Sequence, residues 1–260
     1  MDNEAERGGG LYDDQGPATF EDCRFLDNQA DDGDNQGLGG AVWHRPTQST
    51  DLTFLRCNFN NNDAVGDGGG VYVIGSAGGG DTFFTNCLFY RNEVERTSGG
   101  AKGGGMFVQE MVKLTNCTFV KNKCTEADSG GGIYNDEGDS VLKNCILWRN
   151  KANDDHSDEE DQIKVNSGTL TVTNCCIEHH ESWPGNYNVD TNPLFVDMSA
   201  DNYVLLSTGC SIPPCDSDAI DESDNNVVDC NGGDLRALNR CVELEGHGAI
   251  ADMGCYETQE

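Results

Sequence analysis

Apolar positions along this chain come in short runs that never sustain a helical period. A helical repeat would place apolar residues at i, i+3, i+4 and i+7 over about ten residues or more, and runs of glycine interrupt every such window. What recurs is a short β-branched or aromatic stretch bounded by turn residues, which reads as a strand. One motif is Cys-x-Phe-x-x-Asn, at Cys23/Phe25/Asn28, Cys57/Phe59/Asn62, Cys87/Phe89/Asn92 and Cys117/Phe119/Asn122. A fifth copy is Cys145/Leu147/Asn150, and a degenerate sixth is Cys175/Ile177 with His180 in the Asn place. The Cys-to-Cys steps are 34, 30, 30, 28 and 30 residues. Between them lies a second motif, a glycine run followed by an aliphatic and an aromatic residue: Leu11-Tyr12, Val42-Trp43, Val71-Tyr72, Met106-Phe107 and Ile133-Tyr134. Ala41 takes the third glycine place before Val42. Three short strands per step, with turns between, predict an all-β fold: a right-handed parallel β-helix, a solenoid in which each repeat is one coil.

The residues around each cysteine refine that expectation. Phe20, Phe54, Phe84, Leu114, Leu142 and Val172 precede the cysteines by three positions. Positions three apart on a strand face opposite ways, yet both columns read as core, so a bend must reset the parity between them. The column just before each Cys holds Asp22, Arg56, Asn86, Asn116, Asn144 and Asn174. Asn tolerates left-handed backbone and bonds local amides, which suits such a bend. Coils stacked about 4.8 Å apart would also let these Asn side chains form a ladder.

Composition narrows the function. The 46 acidic and 16 basic residues give a formal charge of −30, which sets phosphate backbones and anionic membrane surfaces against the chain. No apolar run is long enough to span a bilayer as a helix. Met1-Asp2-Asn3-Glu4 is acidic where a secretory signal would be basic and then apolar. Thirteen cysteines point to an oxidising compartment.

With these motifs in view, the chain resembles the repeats of the chlamydial polymorphic outer-membrane proteins and related right-handed β-helix proteins. Its C-terminal part resembles the end of many secreted bacterial β-helix proteins, through Asn192-Pro193-Leu194-Phe195-Val196-Asp197, Ala219-Ile220-Asp221 and Asp252-Met253-Gly254-Cys255-Tyr256-Glu257. The resemblance implies an extracellular or cell-surface protein.

Residues 1–209 read as coils, with an acidic loop at 153–161 expected to be a solvated excursion, and 210–260 as a cysteine-rich cap. Asn3-Glu4-Ala5 aligns with Asn28-Gln29-Ala30, so the chain begins partway through a unit. An open solenoid end pairs with whatever is available. The expected partners there are upstream coils of a longer chain or another copy stacked end to end into a filament.

In-register rungs hold Cβ atoms about 4.8 Å apart, wider than a disulfide accepts. The ladder Cys23, Cys57, Cys87, Cys117, Cys145 and Cys175 therefore reads as buried thiols. Cys124, Cys176, Cys210, Cys215, Cys230, Cys241 and Cys255 are the disulfide candidates. The glycine runs recur without a following P-loop lysine, so they are turns and not phosphate loops. No His pair has zinc-protease spacing and no Cys-x-x-Cys occurs. The double acids Asp13-Asp14, Asp31-Asp32 and Asp154-Asp155 fall in different loops, so no catalytic residue is assigned. No cofactor is required; calcium is the one ion that Asp31/Asp32/Asp34 and Asp216/Asp218/Asp221 would suit. Tyr12, Trp43, Tyr72, Phe107 and Tyr134 neighbour an inward aliphatic column, so alternation turns them outward. There they either lie beneath the long loops as a satellite core, the favoured reading, or stand exposed to bind a glycan or a surface protein. The sequon Asn116-Cys117-Thr118 coincides with a bend and is expected to be poorly accessible.

What repeats is architectural, which favours a non-catalytic extracellular structural or adhesion protein. The alternative is a polysaccharide-binding or polysaccharide-cleaving β-helix protein.

Overall fold

The computed structural model describes residues 3–205 apart from 15, 35, 47–50, 76–79, 96–98, 127–128, 154–156, 180–187, 191 and 194, together with 241–244 and 248–251. The chain winds into a parallel β-helix of about five turns with four six-stranded sheets. Sheet I holds Asn3–Ala5, Asn28–Ala30, Asp63–Ala64, Glu93–Val94, Lys123–Cys124 and Lys151–Ala152. Sheet II holds Leu11–Asp14, Val42–Arg45, Val71–Val73, Met106–Val108, Ile133–Asn135 and Ile163–Val165. Sheet III holds Ala18–Glu21, Leu52–Leu55, Thr82–Thr85, Val112–Thr115, Ser140–Lys143 and Leu170–Thr173. Sheet IV holds Arg24–Leu26, Asn58–Asn60, Leu88–Tyr90, Thr118–Val120, Ile146–Trp148 and Cys176–Ile177. Every pairing within these sheets is parallel.

Each coil therefore carries four strands, not the three read from the sequence. The stretch from Cys to Asn and beyond is not one strand, because a second left-handed corner divides it. The expected bend before each Cys is present: Asp22, Arg56, Asn86, Asn116, Asn144 and Asn174 have φ between 51° and 56°. Asp27, Asn61, Arg91, Lys121 and Arg149, just before the motif Asn, have φ of 53° or 54°. The third corner uses glycine, at Gly8, Gly39, Gly68, Gly103 and Gly130. Left-handed backbone costs a non-glycine residue about 1 kcal/mol, and the polar stack beside these corners offsets it.

Inside, two phenylalanine columns run along the axis. Phe20, Phe54 and Phe84 stack at 5.2 and 4.8 Å; Phe25, Phe59, Phe89 and Phe119 stack at 4.9, 4.6 and 4.2 Å. The columns meet edge to face, with Phe54 and Phe59 5.4 Å apart at 73°, the geometry that the ring quadrupole favours.

The continuous amide ladder is not the column before the cysteines, where Asn116 Nδ2 donates to Asn86 Oδ1 at 3.1 Å but Asn116 Oδ1 accepts nothing from the next coil. It is built from the motif Asn itself. Nδ2 of Asn3, Asn28, Asn62, Asn92 and Asn122 donates to Oδ1 of the next Asn at 2.8–3.1 Å. From Asn62 onward, Nδ2 also donates to the carbonyl of Phe25, Phe59, Phe89 and Phe119 in turn. Each Oδ1 from Asn62 to Asn150 also accepts the backbone N–H of the preceding Asn. Thus a buried corner that would strand a carbonyl and an amide in every coil has both satisfied.

The acidic loop ends differently from expectation. Asp158 caps a single helical turn, Glu159–Gln162. Asp161 is buried and its Oδ1 accepts Ala152 N–H at 3.0 Å. Gln162 stands where earlier coils have the third glycine, and its Oε1 receives Asn150 Nδ2 at 2.8 Å. Its own Nε2 passes the chain of bonds to the buried Glu178 at 3.3 Å. Gln162 and Glu178 thus end the ladder; His180 lies outside the described residues.

Val189 adds one parallel bridge to Cys176. Residues 195–205 do not continue the coils. Phe195–Asp197 and Asn202–Leu205 pair antiparallel, and Phe195 and Tyr203 cover the outer face of sheet IV, against Leu88, Val120, Ile146, Trp148 and Cys176. Cys241–Leu244 and Gly248–Ala251 form a second antiparallel pair.

Candidate functional site

The aromatic column faces outward as alternation requires, yet it forms a satellite core. Trp43, Tyr72, Phe107 and Tyr134 are buried and cluster with Leu38 and Ile74. Tyr72–Phe107 and Phe107–Tyr134 stack at 4.7 and 5.7 Å. Cations close over them: Arg7 and Arg45 on Trp43, Lys102 on Tyr134 at 4.8 Å. Only Tyr12 among the five is exposed, at 51%, and its outer face is left by stacking 4.6 Å on Trp43. A row of open rings for sugar stacking is not present.

Alternation divides the double acid Asp13-Asp14. Asp13 registers with His44 and Asp14 with Arg45 in the next coil. Inside, His44 Nδ1 lies 2.8 Å from Asp13 Oδ2, with the ring fully buried. Burial lowers the His44 pKa and Asp13 opposes that. Outside, Arg45 grips both carboxylate oxygens of Asp14. The sequence separates Asp13 and His44 by a full coil, so register alone brings them together, with the His44 ring closed off from solvent and Asp13 16% exposed. Asp31, Asp32 and Asp34 lie in a loop where Asp31 Oδ1 accepts Gly33 N–H and Asp32 Oδ1 accepts Asp34 and Gln36 N–H. The Gln36 amide is the main reason the Asp32 pKa is lowered. Among the described residues no three His, Cys, Asp or Glu side chains are placed to hold a metal ion. Asp216, Asp218 and Asp221 lie outside the described residues.

The ladder cysteines are free, with Cys57, Cys87, Cys117, Cys145 and Cys175 buried and Cys23 half-buried. Each buried thiol from Cys57 to Cys145 donates to a carbonyl of the preceding coil, that of Phe20, Phe54, Phe84 and Leu114. Burial pushes the Cys117 and Cys175 thiols well above the usual range, which suppresses the thiolate that reacts. Cys124 and Cys176, read as disulfide candidates, are also free. Cys124 occupies the small inward column of sheet I and packs with Val94 and Ala101; Cys176 lies under the hairpin on sheet IV. Cys210, Cys215, Cys230 and Cys255 lie outside the described residues. In native protein, an alkylating reagent should modify Cys57, Cys87, Cys117, Cys124 and Cys145 only under unfolding conditions, as read by mass mapping; labelling at the rate of a free thiol would contradict this packing. Asn116 of the sequon is likewise buried.

Asp63 faces outward between Gln29 and Glu93 on sheet I. Burial, with help from Glu95 and Glu93, pushes its pKa up to about 7 from 3.8. The folded state then holds a proton that the unfolded state releases, so stability falls as pH rises from about 4 to about 7 and stays reduced above. Asp63→Asn is expected to raise stability at pH 8 on the order of 1–2 kcal/mol, after discounting for solvent that reaches the group, and to change nothing at pH 4. Urea midpoints of parent and variant at both pH values check it.

The feature that sequence reasoning missed is cationic. A groove of about 470 Å³ on the corner between sheets IV and I is lined by Asn61, Arg91, Asn92, Glu93, Lys121, Lys123, Arg149 and Lys151. Two columns build it. Arg91, Lys121 and Arg149 are successive corner residues; Glu93, Lys123 and Lys151 register on neighbouring strands. The signal was available: the residue before the motif Asn is basic from the third copy onward, and the residue after it from the fourth.

Residues 116–136, which hold three of one coil's four strands, match the family described as Chlamydia polymorphic membrane protein (Chlamydia_PMP) repeat. The chain is a β-helix repeat protein that resembles those repeats. No curated protein and no solved structure gives a significant match to the chain.

Proposed function

We propose that this protein is a non-catalytic β-helix module of a cell surface, acting in structure or adhesion. One observation carries the reading: the polar columns that recur inside the solenoid, the Asn ladder and the thiols, are hydrogen-bonded within the fold and serve its architecture. What reaches solvent is a rigid rod of registered columns, suited to presenting side chains at fixed spacing. The resemblance to membrane-protein repeats agrees with a surface setting. End-to-end association of coils is a further form this structural role can take.

Two measurements on the native protein test it. Intact cells treated with a membrane-impermeant biotin reagent should yield the labelled protein, and a panel of acidic and neutral polysaccharides should show no turnover. Absence of surface label, or product release abolished by Asp13→Asn, would overturn the proposal.

A further inference from the structure

Five of the chain's 16 Lys and Arg residues line the single groove beside the asparagine ladder, in a protein of formal charge −30. Coulomb repulsion opposes gathering like charges, so their partners matter. Glu93 pairs with Lys123 at 2.6 Å. Asp201, from the turn of the covering hairpin, reaches Arg91 at 3.0 Å and Lys121 at 3.5 Å. Lys121 also donates to the Met198 carbonyl at 2.6 Å. Among the described residues no carboxylate forms an ion pair with the Arg149 or Lys151 side chain; the nearby Glu178 carboxylate is turned to the Arg149 backbone N–H at 2.7 Å and to Gln162. The upper part of the groove thus already receives a carboxylate across two cations, and the lower part repeats that arrangement with the anion's place unfilled by a described side chain.

We infer that the groove binds a short anionic oligosaccharide, carrying carboxylate or sulfate groups, along the solenoid axis. The inference adds a ligand to the surface module proposed above and rests on that reading only for where the ligand would be met. Four features select this chemistry. The cations repeat at the rung spacing of about 4.8 Å, whereas side chains on one face of an extended peptide recur every 6.8 Å or so. Lys151–Ala152 is the end strand of sheet I, but its outward Ala152 N–H is already taken by Asp161 Oδ1 at 3.0 Å, and the sheet IV strands beneath are paired on both sides, which leaves little edge for a peptide to join by strand addition. No aromatic ring lines the groove, so it lacks the stacking platforms that single-stranded nucleic acids need. Its volume is that of a small-ligand site, and the negative charge of the rest of the chain penalises a long polyanion more than a short one. Asn61, which also lines the groove, donates its Nδ2 to Asp27 at 2.7 Å and so presents Oδ1 as the remaining polar atom of that side chain.

The test uses the full-length protein and isothermal titration with defined probes: a trigalacturonate for carboxylates, a heparin-derived tetrasaccharide for sulfates, neutral maltotriose, inositol hexakisphosphate and a short polyglutamate. At least one acidic oligosaccharide should bind, more weakly as salt rises, and maltotriose should not. The double variant Arg149→Ala/Lys151→Ala, both side chains outside the core, should lose at least tenfold in affinity while unfolding at the parent's urea midpoint. Lys113→Ala, a cation of sheet III paired with Asp81, should leave affinity unchanged. No binding of either acidic oligosaccharide, equal loss in Lys113→Ala, or tighter binding of polyglutamate or inositol hexakisphosphate would each overturn the assignment. Such a failure would leave the surface reading standing, since cell labelling reads it separately.

Discussion

Asn122→Ala is expected to cost about 4 kcal/mol or more, enough to unfold most of the β-helix at ambient temperature. The amide makes four bonds in a site closed to water. Its Nδ2 donates to Phe89 O at 3.0 Å and Asn150 Oδ1 at 2.8 Å, and its Oδ1 accepts Asn92 N–H at 3.1 Å and Asn92 Nδ2 at 2.9 Å. Alanine leaves several of those partners buried and unsatisfied, at about 1–3 kcal/mol each, and the small cavity admits no replacement. The total stability of such a chain is itself only about 5–15 kcal/mol. The exposed Thr171→Ala should stay within about 0.5 kcal/mol of the parent. Equilibrium urea unfolding, with hydrogen exchange to locate the loss, reads both. A change at Asn122 no larger than at Thr171 would mean that the ladder is not formed.

Gly131→Ala should be comparably damaging for a steric reason. A Cβ there would lie 2.2 Å from Lys151 O and 2.4 Å from Lys151 C and N. All three are backbone atoms of sheet I, so nothing can rotate aside and two coils must part. Overpacking of that kind costs about 3 kcal/mol or more. Gly10→Ala offers the contrast. Its nearest neighbours would be Ala41 O and Phe25 Cδ1, both at 3.0 Å, and Ala41 already occupies the equivalent place one coil on. It should fold with a small loss. Thermal unfolding of the two variants separates the cases, and equal behaviour would contradict the coil-to-coil contact at Gly131.

Why some of this was legible in the chain and some not follows from what each feature depends on. The solenoid, its inward Phe and Cys columns and the bend before each Cys are properties of one repeat, and six copies print them six times. The second left-handed corner was hidden because Asp27, Asn61, Arg91, Lys121 and Arg149 share no residue type; backbone shape is conserved there without chemistry. The sequence points to the Asn column before the cysteines because both columns are rich in Asn and both are buried; the hydrogen bonds between coils separate them, and those depend on corner geometry. Gln162 escaped notice because it stands 12 residues past Asn150 and closes the ladder from a glycine position. The covering hairpin depends on the outer face of sheet IV turning apolar from Leu88 onward, a change spread across several coils. The Asp13–His44 pair and the cationic groove are products of register, which no single repeat contains.

The central claim is in-register stacking of parallel coils, and a pulsed electron resonance distance tests it most directly. Thr19 and Thr171 are both exposed on sheet III, and register carries Thr19 to Thr53, Phe83, Lys113, Val141 and Thr171 in turn. Spin labels carried at these two sites on unnatural amino acids, which spare the native cysteines, point the same way from the same column. Five rungs at about 4.8 Å each place their backbones roughly 24 Å apart. The account predicts a narrow distribution at that separation. A broad distribution, or one centred far from it, would contradict the parallel β-helix.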